Sequence, residues 1–181
     1  HREATWMAAQ LWTELGRVRE AADLLERHLA TQTDPYVRRK LHLHLGHLHA
    51  ERLGDSNRAR GHFEAVLQEG PHLTAATALR ALYKDAGELK PLLEVQRVLV
   101  DAMPDASSRR ALLEEMAPVA EALGPDEAFA VARLAFDQDP ADAGIRERFE
   151  SLGMAQERYA TLAGAFEDAA GRLEGSASVA Y

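Results

Sequence analysis

Four histidines, His42, His44, His47 and His49, fall within eight residues, and His62 and His72 follow further along the chain. Neutral imidazole is a common ligand for zinc-type metals, and its proton equilibrium lies near neutrality. On a helix, His44 and His47 are three apart and Glu51 follows His47 by four, so these side chains can share one face as a ligand set. The spacing differs from HExxH, in which two ligands and a general base are fixed together. Packing and surface roles therefore come ahead of a metal site or a pH-responsive surface, and no metal or cofactor is expected.

Adjacent acids offer acid–base chemistry in principle: Glu114-Glu115, Asp126-Glu127 and Glu167-Asp168. No Gly-rich phosphate loop, no nucleophile elbow and no second catalytic element accompanies them. Several sit where a helix would start, and there the helix dipole favours a carboxylate. The chain has no Cys, which removes thiolate catalysis, disulfides and Cys-based zinc sites. The expectation is a protein that is not an enzyme.

The elements that would position these residues are helices. The 181 residues include 34 Ala and 25 Leu against 17 Val, Ile and Thr together. Ala and Leu lose little in a helix, whereas β-branched side chains lose χ1 freedom there. Acidic residues outnumber basic ones, 29 to 21, for a net charge of −8. That balance speaks against binding a phosphate backbone. No apolar run approaches the roughly 18–20 residues needed to span a bilayer. Basic residues are 18 Arg to 3 Lys, which reads as the coding bias of a GC-rich, bacterial genome. The chain opens at His1 directly into helix-forming sequence, as a piece of a longer protein would, and residues 174–181 read as a flexible tail. With no contrary signal, a cytoplasmic location is expected.

Punctuation along the chain is periodic. Pro35, Pro71, Pro104 and Pro140 are separated by 36, 33 and 36 residues, and Gly16, Gly54, Gly87, Gly124 and Gly153 fall between them. Gly suits the position after a helix and Pro the first turn of the next, so Asp34-Pro35 and Asp139-Pro140 read as N-cap and N1. Five helix–turn–helix units follow, bounded at about 2–35, 36–71, 72–104, 105–140 and 141–173. Apolar stripes at helical spacing support them: Leu41, Leu45 and Leu48 with Ala59, Phe63, Val66 and Leu67, and Leu79, Leu82 and Tyr83 with Leu92, Val95 and Leu99. The last helix shows one stripe, Tyr159, Leu162, Phe166, Ala169 and Leu173, as a capping helix would.

These residues resemble the tetratricopeptide repeat (TPR) family, whose unit is 34 residues long. Leu45-Gly46, Ala59, Phe63, Val66 and Pro71 match the pattern best. Ala9, Trp12, Gly16, Ala21, Leu25 and Pro35 fit the first unit, and Leu79, Tyr83, Gly87 and Pro104 the third. Gly124, Ala128, Ala132, Ala135 and Pro140 fit the fourth, which has one residue fewer in its turn. The second unit has one residue more there, and His49 stands where the family has an aromatic. This register makes His42 and His49 packing residues. Arg80 occupies a usually small position, and Pro118 should kink its helix. The resemblance implies an all-α, right-handed α-solenoid of about five repeats and ten antiparallel helices.

The resemblance also implies a concave groove. Its positions fall on Trp6, Gln10 and Thr13, on Lys40, Leu43, His47 and Glu51, on Thr77 and Lys84, and on Glu114 and Glu121. Trp12 falls at a packing position. Trp6 is either a partner anchor in the groove, where aromatics concentrate binding energy, or a cover for the first repeat's outer end. A chaperone-type carboxylate clamp would need Lys and Asn where Trp6 and Gln10 stand. The expected function is a scaffold or adaptor that binds a peptide or helix of a protein partner, with neither nucleic acid nor membrane insertion. The alternative is a spacer or self-assembly segment that makes homo-oligomers through its repeat ends.

Overall fold

The structure, a computed structural model, describes residues 2–179, with side chains for residues 4–172. The described residues form ten α-helices and no strand: α1 (Arg2–Glu14), α2 (Val18–Ala30), α3 (Pro35–His47), α4 (Ser56–Gln68), α5 (Leu73–Ala86), α6 (Leu89–Ala102), α7 (Ala106–Leu123), α8 (Pro125–Gln138), α9 (Ala143–Ala155) and α10 (Tyr159–Val179). Consecutive helices pack as five hairpins, α1–α2, α3–α4, α5–α6, α7–α8 and α9–α10. They make two compact units: the first runs to Ala102 and the second begins at Met103.

Local chemistry explains the helix starts. Asp34 accepts from the Tyr36 N–H with Pro35 in the first turn, and Asp55 accepts from the Arg58 N–H. Asp105 caps α7 through the N–H groups and hydroxyls of Ser107 and Ser108, which hold its carboxyl well below the usual range. The Asp139-Pro140 pair does not start α9. Asp139 ends α8, and Asp142 caps α9 by accepting from the Ile145 N–H, so the helix begins three residues later than the proline suggested.

The turns differ as the spacing did. Gly124 alone links α7 to α8, serving as the last cap of one helix and the first of the other. In the second hairpin the extra residue is taken up by a π turn, Leu48–Leu53, that continues α3. A single insertion widens the helix locally instead of rotating everything beyond it. Gly54 then leaves the helix in the left-handed conformation, and the Asp55 N–H donates to the His49 carbonyl at 2.9 Å. Gly153 is not a turn residue. It lies inside α9, and the left-handed position before α10 is held by Glu157 (φ 56°). Pro118 sits within an unbroken α7, and Arg80 is half-buried on α5.

The first unit's core around the first two hairpins is Ala9, Ala21, Ala22, Leu25, Leu41, Leu45 and Leu48, with Trp12 packed at its edge. The second unit is built on a phenylalanine stack: Phe149 lies 5.3 Å from Phe129 and 5.0 Å from Phe136, ring centre to ring centre. Helix α10 buries Leu162, Ala165 and Ala169 against it, while Tyr159 is exposed and off that stripe; the Leu173 side chain lies outside those described. The tail expected from residue 174 is helical as far as Val179, and residues 180–181 lie outside the described chain.

Arginine–carboxylate pairs tie one hairpin to the next within each unit. Arg58 meets Glu26 and Arg60 meets Glu88 in the first; Arg110 meets Asp142, Arg148 meets Glu121, Arg158 meets Asp126 and Arg172 meets Asp137 in the second.

Candidate functional site

In the first unit, α1, α3 and the start of α5 enclose a groove of about 790 Å³. Helical spacing puts Tyr36, Lys40, Leu43, His44 and His47 of α3 along it, four or three apart. Trp6 and Met7 of α1 form one wall, and Thr74 of α5 stands opposite. The Trp6 ring lies 4.7 Å from the His44 ring and is 38% exposed, so the indole leaves a usable face on the groove side. The Lys40 ammonium sits 4.5 Å above the Tyr36 ring. Burial, and then the neighbouring His47, push the His44 imidazole below its ordinary value.

A second depression of about 560 Å³ adjoins the first and shares His47 and Thr74 with it. Its walls include Glu51 of the π turn, Phe63 of α4, and Thr77 and Leu82 of α5. His47 donates from Nδ1 to the Glu51 carboxylate at 2.9 Å and stands edge-on to Phe63, at 5.2 Å between ring centres.

The structure thus brings together Trp6, Lys40, Leu43, His47, Glu51 and Thr77 of the residues expected in a groove. Gln10 and Thr13 lie on α1 outside both depressions; Gln10 reaches Glu14 and the Thr13 hydroxyl donates to the Ala9 carbonyl. Lys84 is exposed on α5, also outside them. Met7, Tyr36 and Thr74 line the groove without having been singled out from the sequence, and His44, considered there only as a metal ligand, lines it too. Tyr36 and His44 follow from the α3 register, whereas Met7 and Thr74 depend on how neighbouring helices pack.

Glu114 and Glu121 belong to the second unit. Glu114 lines a cavity of about 450 Å³ between α7, α8 and α9, floored by Ala117, Val131 and Ala132. It accepts from Arg110 at 3.2 Å, and Arg110 also donates to Asp142 at 2.9 Å. Glu121 accepts from Arg148, another lining residue. Both acids there are engaged by arginines.

The ligand set suggested by spacing, His44, His47 and Glu51, does not converge: His44 turns to Trp6 while His47 turns to Glu51. A different group does, on the other side of α3. His49 of the π turn is buried and meets Glu26 of α2 at 3.3 Å, and its ring stacks on His62 of α4 at 5.5 Å. His62 in turn meets His42, Nδ1 to Nδ1, at 3.1 Å. Glu26 is 23 residues from His49, so no linear motif announces the group.

No protein-family model matches the sequence, and no curated protein matches it. Solved structures do. A double mutant of MamA from strain RS-1 is 20% identical, with 97% of this chain and 96% of that one covered at a TM-score of 0.52. MamA residues 41 to the end from Desulfovibrio magneticus RS-1 is 21% identical, covering 96% and 95% at 0.51. A tetratricopeptide repeat protein from Parabacteroides merdae is 16% identical, covering 92% of this chain and 77% of its own at 0.54. At these identities the likeness is one of fold. The chain is an all-α helical-repeat protein with the tetratricopeptide-type α-solenoid fold.

Proposed function

We propose that the chain is a protein-interaction module whose first unit receives a peptide or helix in the groove between α1, α3 and α5. The observation that carries this reading is the groove's chemistry. Trp6, Met7 and Tyr36 expose apolar surface along it, and none of its lining residues is acidic, although the whole chain is strongly so. An apolar cleft with the Lys40 ammonium and the imidazoles of His28 (on α2), His44 and His47 suits a segment that inserts a large apolar side chain and sets a carboxylate beside Lys40. Glu51 and Thr77 extend the contact path beyond His47.

The test is selection of displayed peptides on the wild-type chain, followed by binding of the selected peptides to Trp6→Ala and Lys40→Ala. Enriched peptides should carry an aromatic or leucine anchor near an acidic residue and bind each variant at least about tenfold more weakly. Peptides that bind both variants as well as wild type would remove the groove as the site. Trp6 is 38% exposed and also packs on His44, so Lys40→Ala, which removes no packed ring, separates binding from folding, with the helical circular dichroism of each variant as the check.

A second reading, self-assembly, is favoured by another surface. Met7, Leu11 and Leu15 follow one another at four-residue spacing on and just beyond α1, and they are 69%, 54% and 65% exposed. A second copy covering this stripe would give a dimer. Light scattering should then show Leu11→Glu monomeric where wild type is dimeric; a monomeric wild type at high concentration would rule the dimer out.

A further inference from the structure

We propose that Glu26, His49 and His62 form a binding site for a divalent transition metal of the zinc type, with His42 orienting His62. The three side chains come from α2, the π turn and α4, so the fold itself assembles them. One ligand atom of each lies within 4.8 Å of the other two. A tetrahedral zinc with bonds of about 2.0–2.1 Å needs its ligand atoms about 3.3 Å apart, a difference that rotation of the side chains closes.

The chemistry of the donor set agrees. Two imidazoles and one carboxylate make a borderline-soft site suited to zinc, cobalt or nickel rather than to calcium or magnesium. Metal binds neutral imidazole, the form in which each ring offers a nitrogen lone pair. His49 is 2% exposed, and its Nδ1 has no hydrogen-bond partner, so the ring is not pinned from both sides. If His62 donates from Nδ1 to His42 Nδ1, its Nε2 carries the free lone pair. This is the arrangement in which a ligating histidine is held by a partner on its other nitrogen.

Charge permits it as well. Arg58 lies 3.3 Å from the same Glu26 oxygen that meets His49, and a cation must displace it. Arg58 is largely exposed and has a second carboxylate, Asp55, at 3.6 Å, to which it can withdraw. Three protein ligands leave a fourth position for water.

The site is tested on the full chain, freed of any affinity tag and treated with chelator, by titration with zinc and separately with cobalt. Expected are one equivalent of zinc bound, a raised melting temperature and the visible bands of tetrahedral cobalt. Glu26→Gln and His62→Gln should each weaken binding roughly tenfold or more while keeping the helical circular dichroism of wild type; Glu26→Gln changes one atom on a half-exposed side chain and serves if His62→Gln misfolds. His42→Gln should weaken binding about 10–100-fold, as loss of an orienting partner does. His47→Gln should leave it unchanged. Absence of stoichiometric binding, or binding that survives Glu26→Gln and is lost with His47→Gln, would overturn the assignment.

Discussion

Gly46 lies flat against the ring of Phe63. A Cβ placed on Gly46 would stand 2.6 Å from the ring's Cε1 and 2.7 Å from Cζ. Phe63 is fully buried, so the ring must shift from its packed position to admit the methyl. Gly46→Ala should therefore destabilise the first unit by about 1–2 kcal/mol, the overpacking cost exceeding the gain in helix propensity. Thermal denaturation checks this, and Phe63→Leu should relieve part of the loss in the double variant. Gly153 stands in the same relation to Leu162, at 2.7 Å, so Gly153→Ala should act similarly in the second unit.

The Trp6–His44 pair gives an optical handle on pH. His44 is lowered from 6.5 by burial and by His47, so the unfolded chain takes up this proton before the folded one. The stabilising contribution is complete above pH 6.5 and is lost as the pH falls below it through the folded value. In a Trp12→Phe background, quenching of Trp6 emission by the imidazolium should appear only below pH 6.5. His44→Gln should abolish that step. A midpoint at or above 6.5 would contradict the burial of His44.

The π turn makes an unusual deletion tolerable. Removing Ala50 takes out the inserted residue and lets Leu48–Leu53 close as ordinary helix, so helicity and a cooperative melt should persist. Removing Ala81 from α5 instead rotates the residues that follow by about 100° and swings Tyr83 out of its buried position. That loss should cost about 3 kcal/mol or more. Circular dichroism melts of the two deletions compare them directly.

Gln96 is fully buried on α6, and neither atom of its amide has a hydrogen-bond partner. An unsatisfied buried amide costs about 1–3 kcal/mol. Gln96→Met, close in length and apolar, should raise stability by about 1 kcal/mol, read as a shift in the denaturant midpoint.

How far the fold could be read from residues varies with the kind of signal. Proline and glycine report backbone constraints locally, so their periods made an all-α, helical-repeat fold legible. The same rule misread Asp139-Pro140, where a second aspartate three residues on is the better cap, and Gly153, whose missing Cβ serves Leu162 and not a turn. For the groove, the α3 positions followed from helical spacing. Its α1 and α5 walls required knowing how neighbouring helices pack. The Glu26–His49–His62 group was invisible because it joins three elements, and because a one-residue insertion, seen in the sequence only as a longer turn, widens the helix where His49 sits.

The arginine–carboxylate pairs between hairpins have a consequence for how each unit melts. Every one joins a hairpin to its neighbour and not to itself. Singly, such exposed pairs contribute little and are screened by salt. Together they act on the coupling between repeats and leave the intrinsic stability of each hairpin alone. Ionic strength thus becomes a dial on cooperativity: in strong salt the coupling between hairpins rests on the apolar cores they share, and a unit's melt should broaden as the charged part of that coupling is screened.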